Sequence, residues 1–458
     1  MTDPAGMHRV TAESERLVAA ALAYVADCMR VETPPLEGPR TPDDLTAAVG
    51  DTITAEGLGG EAVLDLFRAE LATSTTSVEN PRFLAFIPTA PTHAAKLFDM
   101  VVTASTMYAG SWRGGAGAVY AENQALRWLA DLAGLPDTAG GCFVQGGTVG
   151  NLSALVTARH AYLAGRNERP PGRLRLAATD QAHASIVAAA SVMDAGLLGV
   201  AEDARGRLTG AALEDALRRD GGEGVFGVVA SAGTTNLGII DDLAGIAEVC
   251  ATRGLWMHVD GAYGGAALAA PSVRAKFAGI EACDSLIIDP HKWLYAPIDS
   301  CALLYRRPEL ARPAHTQHAG YIDAARTRVA GDWNPSDYAI QLTRRARGLP
   351  FWFSLATHGT RAYTEAVEQT LAVTRKARAD IDGRPYLELV NEPDLSVLCM
   401  RRVGWEPDDY RRWSASLLAD GLGVVTPTEV AGETVTRICV LNPRTTAADI
   451  AAILDTMA

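Results

Sequence analysis

Apolar positions along the 458-residue chain follow two rhythms, and the changes between them divide it in three. Up to about residue 92 they recur at helical spacing, over Ala12 to Met29, Leu45 to Val49 and Gly60 to Leu71. Proline-bearing turns at Thr33-Pro34-Pro35 and Arg40-Thr41-Pro42 interrupt them. From about 93 to 349 short β-branched or apolar runs appear, each closed by Gly, Thr or Asp and followed by a helix-like stretch. Gly141 to Val144, Leu174 to Ala177, Gly224 to Ser231, Leu255 to Val259, Ser285 to Ile288 and Cys301 to Tyr305 predict strands; Gln124 to Ala133 and Leu152 to Ala164 predict helices. Strand and helix in alternation predict an α/β fold, a mostly parallel central sheet flanked by helices. The remainder mixes strands (Leu395 to Arg401, Gly423 to Thr426, Thr434 to Val440) with helices (Asp408 to Ala419, Thr446 to Met457). The expected organisation is a helical N-terminal segment, 1–92, a large domain, 93–349, and a small α+β C-terminal domain, 350–458.

Composition narrows the class. With 48% hydrophobic and 21% charged residues and a mean hydropathy of +0.05, the chain has the balance of a folded soluble enzyme and not of a disordered segment. No run approaches the ~18–20 uninterrupted apolar residues of a membrane span. A formal net charge of −13 repels phosphate backbones and anionic bilayers, which argues against nucleic-acid and membrane partners. Met1 to Val10 carry Asp3, His8 and Arg9 and no apolar stretch of a secretory signal, so a cytoplasmic location is expected. The seven cysteines are scattered without a Cys-x-x-Cys pair and read as reduced, buried thiols.

In parallel sheets ligands bind beyond the carboxyl ends of the strands, so chemistry is sought in the residues that follow each run. After Cys142-Phe143-Val144 comes Gln145-Gly146-Gly147-Thr148-Val149-Gly150-Asn151 and then a helix. A glycine-rich turn into a helix N-terminus offers backbone N–H groups and a hydroxyl to an anion such as a phosphate; a plain βα turn has the same composition. Neither the dinucleotide fingerprint nor a terminal Gly-Lys-Ser/Thr is present. Next, Trp256-Met257-His258-Val259-Asp260-Gly261-Ala262 delivers a carboxylate at a strand end, a ligand to a cofactor or a helix cap. Thirty-two residues later, Leu286-Ile287-Ile288-Asp289-Pro290-His291-Lys292 places a lysine just after a buried run. Most lysines are solvated, but one desolvated at such a place can lose its proton and attack an aldehyde. A phosphate cradle, a carboxylate and a lysine in this order are the three grips that pyridoxal 5′-phosphate (PLP) requires.

The runs Asp180-Gln181-Ala182-His183, Gly233-Thr234-Thr235, His258-Val259-Asp260-Gly261-Ala262-Tyr263 and Pro290-His291-Lys292-Trp293 resemble the PLP-dependent decarboxylases of the aromatic-amino-acid and glutamate group. The resemblance extends from about Asn80 to Phe353. It implies a fold-type-I PLP enzyme, PLP as cofactor, an amino acid substrate and a homodimer with each site built at the subunit interface. By the same resemblance Lys292 condenses with the cofactor aldehyde, Asp260 pairs with the ring nitrogen and His183 stacks on the ring. Gly147 and Thr148 match the phosphate loop, and Thr235, Ala262 and His291 lie beside the cofactor. Pro88-Thr89 resembles the family's turn near the substrate carboxylate, and Tyr321 falls where the family places a loop tyrosine that protonates the carbanion. A lone histidine near a helix start is more often a cap, and a lone loop tyrosine is more often merely exposed.

Three positions depart from the animal aromatic enzymes: Asp289 stands for asparagine, Gly110 for a bulky aromatic and Tyr108 for an aliphatic residue. Phe83, Phe86, Ile87, Tyr108 and Trp112 supply apolar surface near the expected pocket, while Arg82 and Arg113 alone in that stretch could clamp a second carboxylate. The expected reaction is therefore α-decarboxylation of an aromatic or other apolar L-amino acid. Aldehyde synthesis, transamination, an acidic substrate and a non-enzymatic scaffold are the alternatives. His315 and His318 lack a third ligand for a metal. Arg344-Arg345-Ala346-Arg347 reads as a solvated helix face, with a buried carboxylate open to one of its arginines.

Overall fold

A computed structural model describes residues 5–168, 170, 172–320 and 331–458. The first helices are α1 (Ala12–Arg30), α2 (Pro42–Val49) and α3 (Gly60–Leu66), the last continuing as one π-helical turn over Phe67–Leu71. They bury none of their own residues. Two longer helices follow, α4 (His93–Ala104) and α5 (Trp112–Leu132). The helix expected from Gln124 begins twelve residues earlier because Ser111 caps it, and Gly115, at non-helical angles, kinks the glycine-rich first turns that hid the start.

The main sheet has seven strands: β1 (Gly140–Val144), β2 (Arg175–Ala178), β3 (Gly196–Gly199), β4 (Val225–Ser231), β5 (Trp256–Asp260), β6 (Ser285–Ile288) and β7 (Cys301–Tyr305). Their order is β1-β7-β6-β5-β4-β2-β3. Only β7 runs against its neighbours. The mostly parallel sheet read from the sequence is what forms. Its strands are continuous apolar runs because both faces are covered. Leu286 and Ile288 of β6 enter one core with Val228, Val259 and Leu304; Ile287 enters the other with Val229, Leu303 and Leu155. Helices α6 (Gly147–Ala164), α7 (Ala184–Val192), α8 (Gly210–Asp220) and α9 (Leu243–Arg253) connect the strands. A short α10 (Arg312–His315) follows β7. Its buried His315 has Nε2 3.0 Å from the Ser153 carbonyl and 3.0 Å from Thr157 Oγ1, a tie to α6. The edge strand β3, Gly-Leu-Leu-Gly, gave no pattern to read.

Helices α11 (Leu349–His358) and α12 (Thr360–Asp382) lead to a second, antiparallel sheet. It is ordered β10 (Thr426–Val430), β11 (Glu433–Cys439), β9 (Val397–Arg402), β8 (Leu387–Leu389), and α12, α13 (Pro407–Ala419) and α14 (Ala447–Asp455) share its core. The strand expected over Gly423 to Thr426 starts only at Thr426. Val424 instead bonds the N-terminal segment, accepting from Leu84 N at 2.9 Å and donating to the Arg82 carbonyl at 3.0 Å. The arginine run is no solvated helix face. Arg344 is 4% exposed and paired with the buried Glu122, Arg345 pairs with Asp99 at 2.8 Å, and Arg347 with Asp299. Among the described residues no helix is long and apolar enough to cross a membrane, and no group of three or more His, Cys, Asp or Glu could hold a metal ion.

Candidate active site

The carboxyl ends of β1, β4, β5 and β6 share one edge of the sheet, and a cavity of about 300 Å³ opens there. That volume is at the small end for ligand pockets. Gly147, Thr148, His183, Thr235, Asp260, Ala262, His291 and Lys292 all line it. Eight residues from five separate stretches of sequence thus converge on one space.

Lys292 is held by its neighbours on both sides. Trp293, fully buried, stacks on Tyr263 at 5.4 Å and donates its indole N–H to Thr370 at 3.0 Å, fixing the loop from below. Asp289 Oδ2 lies 3.0 Å from Lys292 Nζ, and this carboxylate is 1% exposed. Burial pulls the lysine's pKa down, but the nearby charges of Asp289 and then Asp260 outweigh it and the net direction is up. This corrects the expectation of a lysine made neutral by desolvation: the amine is partly shielded but stands between two acids. Asp289 in turn is held below the ordinary carboxylate range, because Lys292 and His291 overcome the opposing effect of burial.

Asp260 is fixed from two directions. Oδ1 accepts from the Ala262 N–H at 3.1 Å, a local turn bond, and Oδ2 accepts from Asn151 Nδ2 at 2.9 Å. Trp256, His258 and Asp260 alternate onto the same face of β5, towards α6, which is why a helix residue reaches the strand's carboxylate. Asn151 also donates to Ser185 Oγ at 2.9 Å and accepts from His258 Nε2 at 2.8 Å. His258 Nδ1 then accepts from Ser285 Oγ at 2.9 Å, and Trp256 donates to the same hydroxyl at 2.8 Å. Burial depresses His258 to about 4, so the ring is neutral and this tautomer is fixed. His183 is a helix cap that also borders the cavity. Its Nδ1 caps α7 by accepting from Ser185 N at 3.2 Å, and its ring lines the cavity.

The start of α6 lines the same cavity. Thr or Ser caps α1, α2, α4, α5, α8 and α14, whereas α6 begins at Gly146 with no side-chain cap. Gly146, Gly147 and Thr148 line the cavity there, and the first N–H groups of a helix have no partner within it and suit an anion. A Cβ at Gly147 would stand 3.1 Å from Asp289 Oδ2 and 3.3 Å from the Ala262 methyl, so any side chain there would crowd both. Gly233, at φ +108°, turns the chain so that Thr234 and Thr235 also reach the cavity. Gln145 Oε1 and Asp289 Oδ1 are buried on this wall without a hydrogen-bond partner. An uncapped helix start, an aldehyde-competent amine and a fixed carboxylate fit a phosphorylated pyridine aldehyde.

Not every expected residue reaches this space. Phe86 is 64% exposed and Tyr108 38%; Pro88 and Thr89 are buried, Thr89 donating to the Ala296 carbonyl at 3.1 Å. Gly110 abuts the Tyr108 ring, where a side chain would clash with its hydroxyl. None of these five lines the cavity. Tyr321 lies outside the described residues. Conversely, the sequence reading passed over Asn151, Ser185 and Arg437. Asn151 and Ser185 each stood beside a residue already singled out, at the foot of the glycine turn and two after His183. Arg437, on the distant β11, had no such signal. It donates to the carbonyls of Thr235 at 2.6 Å and Phe86 at 2.7 Å, joining the cavity wall to the N-terminal segment.

The fold and the cavity together define a PLP-dependent lyase. Residues 42–403 match the model of the pyridoxal-dependent decarboxylase conserved domain, and the chain belongs to that family. It is 29% identical to an aromatic-L-amino-acid decarboxylase of Bacillus atrophaeus, over 96% of this chain and 94% of the relative. It is 31% identical to an L-2,4-diaminobutyrate decarboxylase of Rhizobium meliloti (strain 1021), over 90% and 83%. In fold it superposes on a rice (Oryza sativa) TDC crystal structure solved with PLP and tryptamine, with a TM-score of 0.88 at 24% identity, covering 100% and 99% of the two chains. PLP is therefore the cofactor.

Proposed function

We propose that this enzyme decarboxylates an aromatic or other apolar L-amino acid to its amine and carbon dioxide, working as a homodimer. The observation that carries the reading is the convergence of Lys292, Asp260 and the uncapped start of α6 on one cavity. When bound, PLP supplies an electron-accepting ring; the chain's residues hold and orient it. The α6 N–H groups with Thr148, Thr235 and His291 hold the phosphate, Asp260 the ring nitrogen, His183 one ring face and Lys292 the aldehyde carbon. A fixed carboxylate favours the protonated nitrogen and so makes the ring a stronger acceptor. Tyr321 is assigned the return of a proton to the substrate's α-carbon. Exposed apolar side chains on α1 (Val18, Leu22) and on the turn that continues α3 (Phe67, Leu71), with the absence of Phe86 and Tyr108 from the cavity lining, support a partner subunit whose site these surfaces complete.

A second reading has its own observation. Asp289 and Asp299, paired with Lys292 and Arg347, line the cavity, and a wall whose cations are already matched by carboxylates disfavours glutamate or aspartate more than a substrate with a second amino group, as in the diaminobutyrate decarboxylase relative. The test is amine release from aromatic, aliphatic, acidic and diamino L-amino acids with added PLP, with hydrogen peroxide followed alongside. Aromatic amines without peroxide are expected, as is complete loss in Lys292→Ala together with loss of the visible absorbance that borohydride bleaches in the parent. Peroxide in step with aldehyde would move the assignment to oxidative chemistry, and no amine from any amino acid would end it.

A further inference from the structure

Asp289-Pro290-His291-Lys292 is a four-residue turn closed by Lys292 N donating to the Asp289 carbonyl at 3.0 Å. Proline at the second position and aspartate at the first suit such a turn, and its geometry brings the first and fourth side chains together. The Asp289–Lys292 ion pair is thus built into the backbone. Asp289 has little freedom to leave it. Its own N–H bonds the Ala262 carbonyl at 3.1 Å, its side chain is sealed from solvent, and its Oδ2 lies where a side chain at position 147 would begin, 3.1 Å from the place of a Cβ there.

We propose that Asp289 is a positioning residue for Lys292: it pins the amine as an ammonium ion beside the start of α6 and so governs how readily the lysine reacts with an aldehyde. The inference rests on the assignment of Lys292 as the PLP lysine. Condensation requires the ammonium to lose a proton to solvent; the nitrogen lone pair then forms the bond to the aldehyde carbon, and the carbonyl oxygen leaves as water. Every charge that stabilises the ammonium slows the first of these steps. The titratable groups around the amine are Asp289 and His291 on its own loop, Asp260 from β5, Cys301 from β7 and Cys439 from β11, with His183, Tyr263 and Asp299 also on the cavity wall, Asp299 paired with Arg347. Cys301 and Cys439 are neutral thiols, pushed up by burial, which leaves Asp289 and Asp260 as the dominant fields. Of these Asp289 is the one in contact.

The test measures the amine itself. Cofactor-free protein is labelled with trace acetic anhydride across pH 6–11, and modification of the Lys292 peptide is quantified by mass spectrometry in the parent, in Asp289→Asn and in Asp289→Ser. Circular dichroism checks that each variant folds. The labelling midpoint is expected to fall by a unit or more in both variants, which makes about tenfold more reactive amine at pH 7. Uptake of PLP and of phosphate-free pyridoxal should accelerate together. An unchanged midpoint overturns the proposal, whatever the protein decarboxylates; acceleration with PLP alone also overturns it, because the carboxylate would then act on the phosphate. Failure of Lys292 to retain either aldehyde in the parent, with the midpoint shift intact, would instead overturn the PLP assignment and leave the ion-pair inference standing.

Discussion

Asn151, on the cavity wall, makes three side-chain hydrogen bonds. One amide joins Asp260, Ser185 and His258, so each of those three depends on it for its orientation. Removing it leaves a carboxylate oxygen and an imidazole N–H buried without a partner, at roughly 1–3 kcal/mol for each group. Asn151→Ala is therefore expected to lower the melting temperature by a few degrees and to cut kcat by tenfold or more while PLP remains bound, because the aldehyde and phosphate grips are untouched. Steady-state kinetics and the cofactor absorbance, measured on the same preparation, separate the two effects. Loss of PLP in proportion to activity would show that Asn151 shapes the cavity and not the carboxylate. The companion Asp260→Asn should behave likewise, with turnover falling far more than cofactor occupancy.

At the scale of elements, the sheet was legible because its strands are short apolar runs closed by residues with a reason to be there. β6 and β7 fall where the pattern put them, and Asp260, Gly147 and Lys292 follow strands that the pattern marked. What escaped was information carried by contacts and not by neighbours in sequence. Gly114, Gly115 and Gly117 masked the first half of α5. The arginine run read mainly as surface, with a buried carboxylate left open for one of its members, because its partners are far away in sequence; Arg344 is the one that has such a partner. Arg344 donates to Glu122 on α5 at 3.0 Å and to the carbonyls of Ala109 and Phe143, while Glu122 also accepts from Gly348 N at 2.8 Å. This buried pair locks α5 and β1, the strand that feeds the glycine turn, onto the loop before α11. Truncating one partner, as in Glu122→Leu, strands a charge and should cost about 3–5 kcal/mol. Replacing both, Glu122→Leu with Arg344→Leu, should recover much of that loss, since the desolvation of two ions is relieved at once. Thermal melts of the two single variants and the double test the argument; a double variant as unstable as the sum of the singles would show that the pair acts through its backbone bonds alone.

For the whole molecule, the buried titratable groups set opposing tilts on stability against pH. Burial depresses His258 and His315 from 6.5 to about 4. Unfolding lets each take up a proton anywhere between those values, so both contribute stability that is complete above pH 6.5 and lost as pH falls towards 4. A shift of that size corresponds to about 3 kcal/mol per histidine. Asp241 tilts the other way. Burial pushes it up from 3.8 to about 7, although its oxygens accept from the Ser231 and Leu208 N–H groups. It is protonated in the fold and ionised in the unfolded chain across the same window, so its contribution declines as pH rises from 3.8 to 7. Glu202, also raised by burial, adds to that side. These opposing terms are separated by differences between variants. The margin of the parent over His258→Asn should shrink by roughly 3 kcal/mol between pH 7 and pH 4, and its margin over Asp241→Asn should grow over the same descent. For a chain of 458 residues, with about 1 kcal/mol per kelvin of unfolding entropy, these are changes of about three degrees in the melting-temperature difference. Differences that ran parallel at all pH values would mean that these groups keep the same protonation folded and unfolded. The neutral His258 that fixes Asn151, and through it Asp260, would then be lost from the account.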